Sequence, residues 1–386
     1  MYSLKNDTHK SFWEKLQKDS PNFRKPVIYK NILSKPDKAI SAVYSVIKAL
    51  CEVPAIRDLL SIRLYIDGKS CIPNDFLKNE NTPYIGEDLD SWGKRIFKSR
   101  EFCLIIARAS RCSEEIARAT AMFFEHFCMR FLPEEISQDI HIYLGNYSAT
   151  PFGVHVDRAG VNILHFHLGP ETKSMFLWEK KSFEQLVKAG KNYYGDLSSL
   201  PKINETFCLE SGDVFFLPAA DYYHVGKNTG FSIALTLGFY LESANTHLKR
   251  AVKSGGKYTN EHLPEQDERE QALSSIDRLA LHYSHKKASN AYFPKPAHLF
   301  SQNTIKLSKT ICVVRPFFII VHQEYDKLYL YARGRLVDKS LPLSFLPIIE
   351  SINEGGDVDV STSLWEGHTE VIRQLLHYQA IETVEP

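Results

Sequence analysis

His155-Val156-Asp157 and, far downstream, His224 are the side chains of this 386-residue chain best suited to chemistry. Two imidazoles and one carboxylate can occupy one face of a metal ion and leave the opposite positions open. A non-haem Fe(II) oxygenase requires that arrangement, because O2 and a co-substrate must both reach the iron. On a strand, residues i and i+2 point to the same side, so His155 and Asp157 are expected to bind one ion together. The competing reading makes His224 a hydrogen-bonded core histidine and Asp157 a turn residue. A lone H-x-D triplet arises often by chance, so the second half of the pattern carries the argument.

That second half begins at Gly212-Asp213, which reads as a turn. Val214 to Leu217 then reads as a buried strand that Pro218 ends before a loop. His224 precedes a further apolar strand, Phe231 to Tyr240, and is expected to meet the H-x-D strand across a small barrel. After Asp157, alternation places Asn162, Leu164 and Phe166 on one face and His165 and His167 on the other. These surplus histidines read as structural or substrate-facing, with a second metal as the alternative. Ser232 and Thr236 are candidate hydroxyl partners.

Thr150-Pro151-Phe152-Gly153-Val154-His155-Val156-Asp157, followed by Gly212-Asp213 through Pro218 to His224, resembles the JmjC and cupin-like oxygenases. The resemblance covers about residues 12 to 240. Phe12-Trp13-Glu14 and Lys25-Pro26-Val27-Ile28 are similar to the family's opening segment. It implies an α+β protein with a double-stranded β-helix (jelly-roll) core, Fe(II) held by His155, Asp157 and His224, and 2-oxoglutarate as co-substrate. It also implies a cation for the distal carboxylate of 2-oxoglutarate. Lys173 is the best match, although the turn from Gly169 that leads to it is longer than the family's usual one. Lys227 and Arg158 come next. Asn162 falls where related enzymes place an amide near the iron or co-substrate. The Arg-x-Ser pair that another branch uses for 2-oxoglutarate is not visible after His224. The ribosomal oxygenases look closest in organisation, since they too continue past the barrel into a helical segment and a winged-helix-like domain. That likeness implies hydroxylation of a protein or peptide side chain. An oxygenase acting on a small metabolite and a non-catalytic metal-binding cupin-like module are the alternatives.

Composition bounds these readings. Apolar content of 44% and charged content of 24% are ordinary for a globular protein. Lys plus Arg (47) balances Asp plus Glu (46), so no global field draws nucleic acid or an anionic membrane. Seven cysteines without a C-x-x-C pair read as reduced thiols. The N-terminus lacks the apolar core of a signal peptide, and Arg315-Pro316 interrupts the run from Ile311 to Val321. A cytoplasmic protein is expected.

Four segments are expected. Residues 1–135 form an N-terminal α/β segment packing on the barrel, 136–245 the catalytic barrel, 246–300 a helical linker or dimerisation segment, and 301–386 a winged-helix-like domain. Periodicity predicts helices at Asp37 to Cys51 and Ser113 to Phe131, the latter capped by Ser113 and burying Phe123, Phe124, His126 and Phe127. Ile62 to Asp67 reads as a strand ending in an Asp-Gly turn. Between the ligand motifs, Ser182 to Gly190 reads as a short helix and Asn192 to Leu200 as a loop. Farther on, a helix is expected over Pro264 to Tyr283 and strands over Ile311 to Val314, Phe317 to His322 and Lys327 to Ala332. Helices follow at Leu343 to Ile352, weakened by Pro347, and at His368 to Tyr378, with Ser361-Thr362-Ser363 capping a turn. Glu366, His368 and Glu370 do not suit a phosphate-facing helix, so protein packing is favoured there over DNA binding.

Overall fold

In the computed structural model, which describes residues 4, 9–130, 136–187, 193–196, 198–241, 248–252, 268–296, 310–360 and 368–384, helices and antiparallel strands are mixed. They fall into two units: residues 1–127 with 138–240, and residues 128–137 with 241–386.

In chain order, residues 9 to 241 carry α1 (His9–Asp19), β1 (Val27–Tyr29), α2 (Pro36–Glu52), α3 (Pro54–Arg57), β2 (Ser61–Ile66), β3 (Lys69–Cys71), α4 (Leu89–Phe97), β4 (Phe102–Ala107), α5 (Glu114–Arg130), β5 (Ile136–Gly145), β6 (Val154–His155), β7 (Val161–Pro170), β8 (Lys173–Glu179), α6 (Lys180–Leu186), β9 (Tyr193–Tyr194), β10 (Glu205–Leu209), β11 (Val214–Leu217), β12 (Tyr222–Asn228) and β13 (Ser232–Leu241). The strands form an eight-stranded sheet, β1-β11-β7-β13-β5-β4-β2-β3, and a five-stranded sheet, β10-β8-β12-β6-β9. Their inner faces meet: Met175, Leu177 and Leu209 of the smaller sheet pack against Phe215 and Leu217 of the larger, joined by Ile163. The outer face of the larger sheet is closed by aromatic side chains. Trp13 of α1 lies 4.7 Å from Phe127 and 5.9 Å from Phe239, ring centre to ring centre, and Phe166 lies 5.4 Å from Phe123. Each such buried ring stabilises the fold by roughly 2–3 kcal/mol through area removed from water.

Local signals explain several boundaries. Ser113 caps α5, its Oγ accepting the Ile116 N–H at 3.2 Å. Phe123, Phe124 and Phe127 are buried as predicted, whereas His126 is exposed, because the stripe those three define leaves it on the solvent side. Asp213 pins the turn before β11. Its buried carboxylate accepts from the Asn31 N–H at 2.6 Å, the Glu210 N–H at 2.7 Å and Lys30 Nζ at 2.6 Å.

The second unit has two three-stranded sheets. One joins Thr310–Val313, Val358–Asp359 and Ile381–Thr383, and the other Ile320–Glu324, Lys327–Ala332 and Arg335–Pro342. Ile311, Leu330, Phe345, Ile349 and Leu375 share one core with helices Leu346–Glu354 and Thr369–His377. Pro347 does not weaken the first of these helices, since it sits in the opening turn, where no N–H partner is lost. A helix spans Glu268–Ala288. The expected cap at Ser361-Thr362-Ser363 lies outside the described residues. Among the described residues no helix is long and apolar enough to cross a membrane.

Candidate metal centre and anion pocket

The H-x-D histidine and the distal histidine do not meet across a barrel. His155 and His224 are register partners on neighbouring strands of the same sheet, β6 and β12. Local sequence shows that His224 lies near an apolar strand, but not which strand pairs with its own. The two rings stand 4.2 Å apart, centre to centre.

Both rings are held alike. Nδ1 of His155 donates to the Gly153 carbonyl at 3.2 Å, and Nδ1 of His224 donates to the Tyr222 carbonyl at 3.1 Å. A carbonyl can only accept, so in each ring Nδ1 carries the hydrogen and Nε2 the lone pair, the tautomer a metal ligand needs. Burial, and after it the charge of His224, pushes the His155 pKa well below the usual range. Burial likewise lowers that of His224, against the negative charge of Asp157, which raises it. Both imidazoles are therefore neutral near pH 7, as ligation requires.

Asp157 lies two residues beyond the end of β6, so strand alternation does not place it. Its backbone N–H donates to the Ala219 carbonyl at 2.9 Å, which ties it to the loop leading into β12. In the conformations present, no three His, Cys, Asp or Glu side chains among the described residues converge tightly enough to hold a metal. Two neutral imidazoles at contact distance, with a carboxylate whose charge reaches one of them, nonetheless fit the donor chemistry of a divalent transition metal.

The neighbourhood is built by the segment between the two motifs. β9 pairs with β6, opposing Tyr193 to His155 and Tyr194 to Val154. Gly153 has φ +75, and a Cβ there would lie 2.1 Å from the Tyr194 carbonyl oxygen, so only glycine admits this approach. Behind the sheet, Phe183 of α6 stacks on Tyr223 at 4.2 Å. On the near side, Phe152 contacts His155 at 4.7 Å, ring centre to ring centre, and carries the Arg63 guanidinium 5.0 Å over its ring.

A second polar cluster lies farther along the same interior. Lys173, which opens β8, is only 3% exposed. Its ammonium donates to Tyr147 Oη at 2.9 Å and lies over the rings of Tyr147 and Tyr143. Burial pushes its pKa down to about 8, and among the described residues no carboxylate pairs with it. The buried Asn228 amide lies beside the Tyr147 hydroxyl. Gly226, between His224 and Asn228 on β12, makes room for the lysine: a Cβ there would lie 2.7 Å from Lys173 Cε and 3.5 Å from Nζ.

The other predicted residues are placed differently. Asn162 is the register partner of Phe239, whose ring packs against Trp13 and Phe124, so it lies on the helix-covered face away from both clusters. The predicted alternation along β7 holds, and it is His165 and His167 that face the interior: His165 is partnered by Phe215, an inner-face residue. Arg158 stacks over Tyr240 and Lys227 over Phe176, so neither takes the place of Lys173. Sequence reasoning missed Tyr147 and Asn228, which no motif marks.

No family model matches the sequence, and no curated protein matches it. Solved structures of YcfD from Escherichia coli do match. An X-ray structure aligns with TM-score 0.53 at 14% identity, covering 99% of this chain and 100% of that one. The structure of YcfD, a ribosomal oxygenase, in complex with cobalt and succinic acid aligns with TM-score 0.53 at 14% identity over 100% of both chains. Another, in complex with cobalt and 2-oxoglutarate, aligns with TM-score 0.50 at the same 14% over 100% of both. The chain shares the fold of this oxygenase. At that identity the likeness concerns the fold, and the site rests on its own geometry.

Proposed function

We propose that this chain is an Fe(II)- and 2-oxoglutarate-dependent oxygenase that hydroxylates a side chain of a protein substrate. One observation carries the reading: a paired set of neutral imidazoles and a buried, carboxylate-free ammonium share one row of the five-stranded sheet. His224, Gly226 and Asn228 point the same way along β12, and Lys173 folds across Gly226. Gly226 is roughly 7 Å along the strand from His224, a gap suited to a five-carbon dicarboxylate with one end at the metal. That YcfD is a ribosomal oxygenase whose structures hold cobalt with succinic acid or 2-oxoglutarate supports the same ligands here.

His155, His224 and Asp157 would hold the metal, the two histidines through Nε2. Lys173, with Tyr147 beside it, would hold the distal carboxylate. When bound, iron and 2-oxoglutarate would, with O2 as oxidant, supply the chemistry that releases CO2, puts one oxygen atom into succinate and adds the other to a substrate C–H bond. The protein's part is placement. The Nδ1 contacts fix both rings, the buried lysine fixes the acid, and the insertion that carries α6 and β9 shields the His155 edge from water. The two facing sheets support a double-stranded β-helix of the JmjC or cupin type for residues 136–245. The strands and helices of 301–386 support a winged-helix-like, protein-packing domain, and 246–300 is assigned to linkage or dimerisation. A ribosomal protein is the favoured substrate, encountered in the cytoplasm.

Incubating the Fe(II)-loaded protein with 2-oxoglutarate, O2 and a lysate peptide pool tests the proposal. The expected result is succinate together with a peptide shifted by about +16, one oxygen atom. Succinate without a shifted peptide moves the substrate to a small metabolite, and stoichiometric iron binding without succinate leaves a binding module.

A further inference from the structure

The lysine pocket contains more polar groups than Lys173 and Tyr147 use. His165 and His167 are buried on the inner face of β7, and after burial the Lys173 ammonium is the strongest influence lowering the pKa of each. Their rings are nearly parallel, 6.2 Å apart. His165 Nδ1 lies 3.1 Å from Thr236 Oγ1, while its Nε2 is buried without a hydrogen-bond partner. In His167 it is Nε2 that donates, to the Glu171 carbonyl at 2.8 Å, and Nδ1 that is buried without a partner. Buried polar atoms of this kind are rarely left unsatisfied, and an ordered water or a bound ligand supplies the missing partner.

The two histidines are not equivalent toward an anion. His167 has spent its hydrogen on Glu171, so its Nδ1 can only accept. His165 has the opposite option: with the Thr236 hydroxyl donating to Nδ1, its hydrogen sits on Nε2. The other groups near Lys173 are the Cys103 thiol from β4, the Tyr143 ring, the Tyr147 hydroxyl and, beside it, the Asn228 amide. None of these is a carboxylate that would compete with an incoming anion.

We propose that His165 is a second hydrogen-bond donor to the distal carboxylate of the co-substrate, and that Thr236 is the positioning residue that holds its ring through Nδ1. The proposal rests on the co-substrate reading above and adds to it the partner that the orphaned Nε2 lacks.

Calorimetric titration of the Mn(II)-loaded protein under anaerobic conditions tests it, with two ligands: 2-oxoglutarate, and 2-oxobutyrate, which keeps the keto acid but lacks the distal carboxylate. His165→Leu is expected to weaken 2-oxoglutarate about tenfold or more while leaving 2-oxobutyrate unchanged. His165→Gln, which returns an N–H donor near the Nε2 position, is expected to restore most of that loss. Thr236→Val, nearly the same in shape, should show a smaller loss, again for 2-oxoglutarate alone, and it serves as the test if His165→Leu fails to fold. Equal weakening of both ligands would make His165 merely structural and overturn the proposal. So would a 2-oxoglutarate preference that Lys173→Ala abolishes and His165→Leu leaves intact, and in that case the co-substrate reading survives. A wild-type protein with no preference for 2-oxoglutarate overturns both.

Discussion

Two pairs of neutral histidines line one interior, His155 half-buried and the other three buried, and they are built for opposite tasks. His155 and His224 each spend Nδ1 on the carbonyl two residues back in their own chain, and their rings touch at 4.2 Å. The lone pair thereby sits on Nε2 in both rings, the form that ligates a cation. His165 and His167 sit parallel at 6.2 Å beside an ammonium, and each keeps a buried nitrogen without a partner. A cation beside Lys173 would be repelled, so that second region suits an anion. Residue type alone separates neither pair from the other. The hydrogen-bond partner of each ring and the nearest charge do.

The contrast breaks most severely at the first pair. His155→Ala or His224→Ala is expected to lower metal affinity at least a hundredfold, since even loss of a supporting group around a metal costs about 10–100-fold. His167→Gln should leave metal binding intact. Mn(II) titration followed by electron paramagnetic resonance measures both, and equal losses would erase the distinction between the pairs.

Lys173→Ala reads the second region. A charge-assisted hydrogen bond in a buried site is worth roughly 1.5–3 kcal/mol, so 2-oxoglutarate affinity should fall by about ten- to a hundredfold with metal affinity unchanged. The same lysine imposes a pH dependence. Its pKa is pushed down to about 8 by burial, and binding an anion must raise it. The site is therefore fully charged and binding is strongest below pH 8, and above it affinity falls by about a decade per pH unit as a proton must be taken up first. Calorimetry from pH 7 to 9.5 checks this. A flat profile would mean that the lysine does not face the ligand.

Acid stability sharpens the comparison from the protein side. Burial pushes His167 down to about 4, whereas an imidazole in the unfolded chain titrates near ~6.5. Between those values the unfolded state binds a proton that the folded state refuses. Its contribution to stability is thus full above pH 6.5 and drains away as pH falls toward 4. His167→Gln should flatten the apo-protein's acid unfolding curve over that window by on the order of 3 kcal/mol. An unchanged slope would show that His167 is hydrated. The smallest effect is expected at Gly226. The methyl of Gly226→Ala meets the mobile end of Lys173, so a loss of about 1 kcal/mol in 2-oxoglutarate binding is expected, read by the same calorimetry. A larger loss shared with metal binding would place Gly226 in the scaffold of the first pair.

Much of this was legible in the chain itself. Turn and breaker residues bound β11 at Val214 and Leu217, and Ser113 with its two glutamates opens α5. Alternation along β7 separated Asn162, Leu164 and Phe166 from His165 and His167, because side-chain direction on a strand is a local property. The spacing of His155, Asp157 and His224 singled out the residues of the proposed metal centre, and the family resemblance pointed to Lys173 as the cation proposed for the co-substrate. Only the tertiary structure decided which face of β7 looks inward, and with it that Asn162 shares the face of its partner Phe239, which packs on α1 and α5, while the two histidines face the interior that holds Lys173. Nor does local sequence pair β6 with β12 in one sheet, carry Asp157 past the end of its strand, or bring Tyr147 and Asn228 to the ammonium. Periodicity tells a side chain which way to point relative to its neighbours in sequence. Pairing register and burial are set by contacts between residues far apart in the chain, and these determine what the side chain points at and what charge it can carry there.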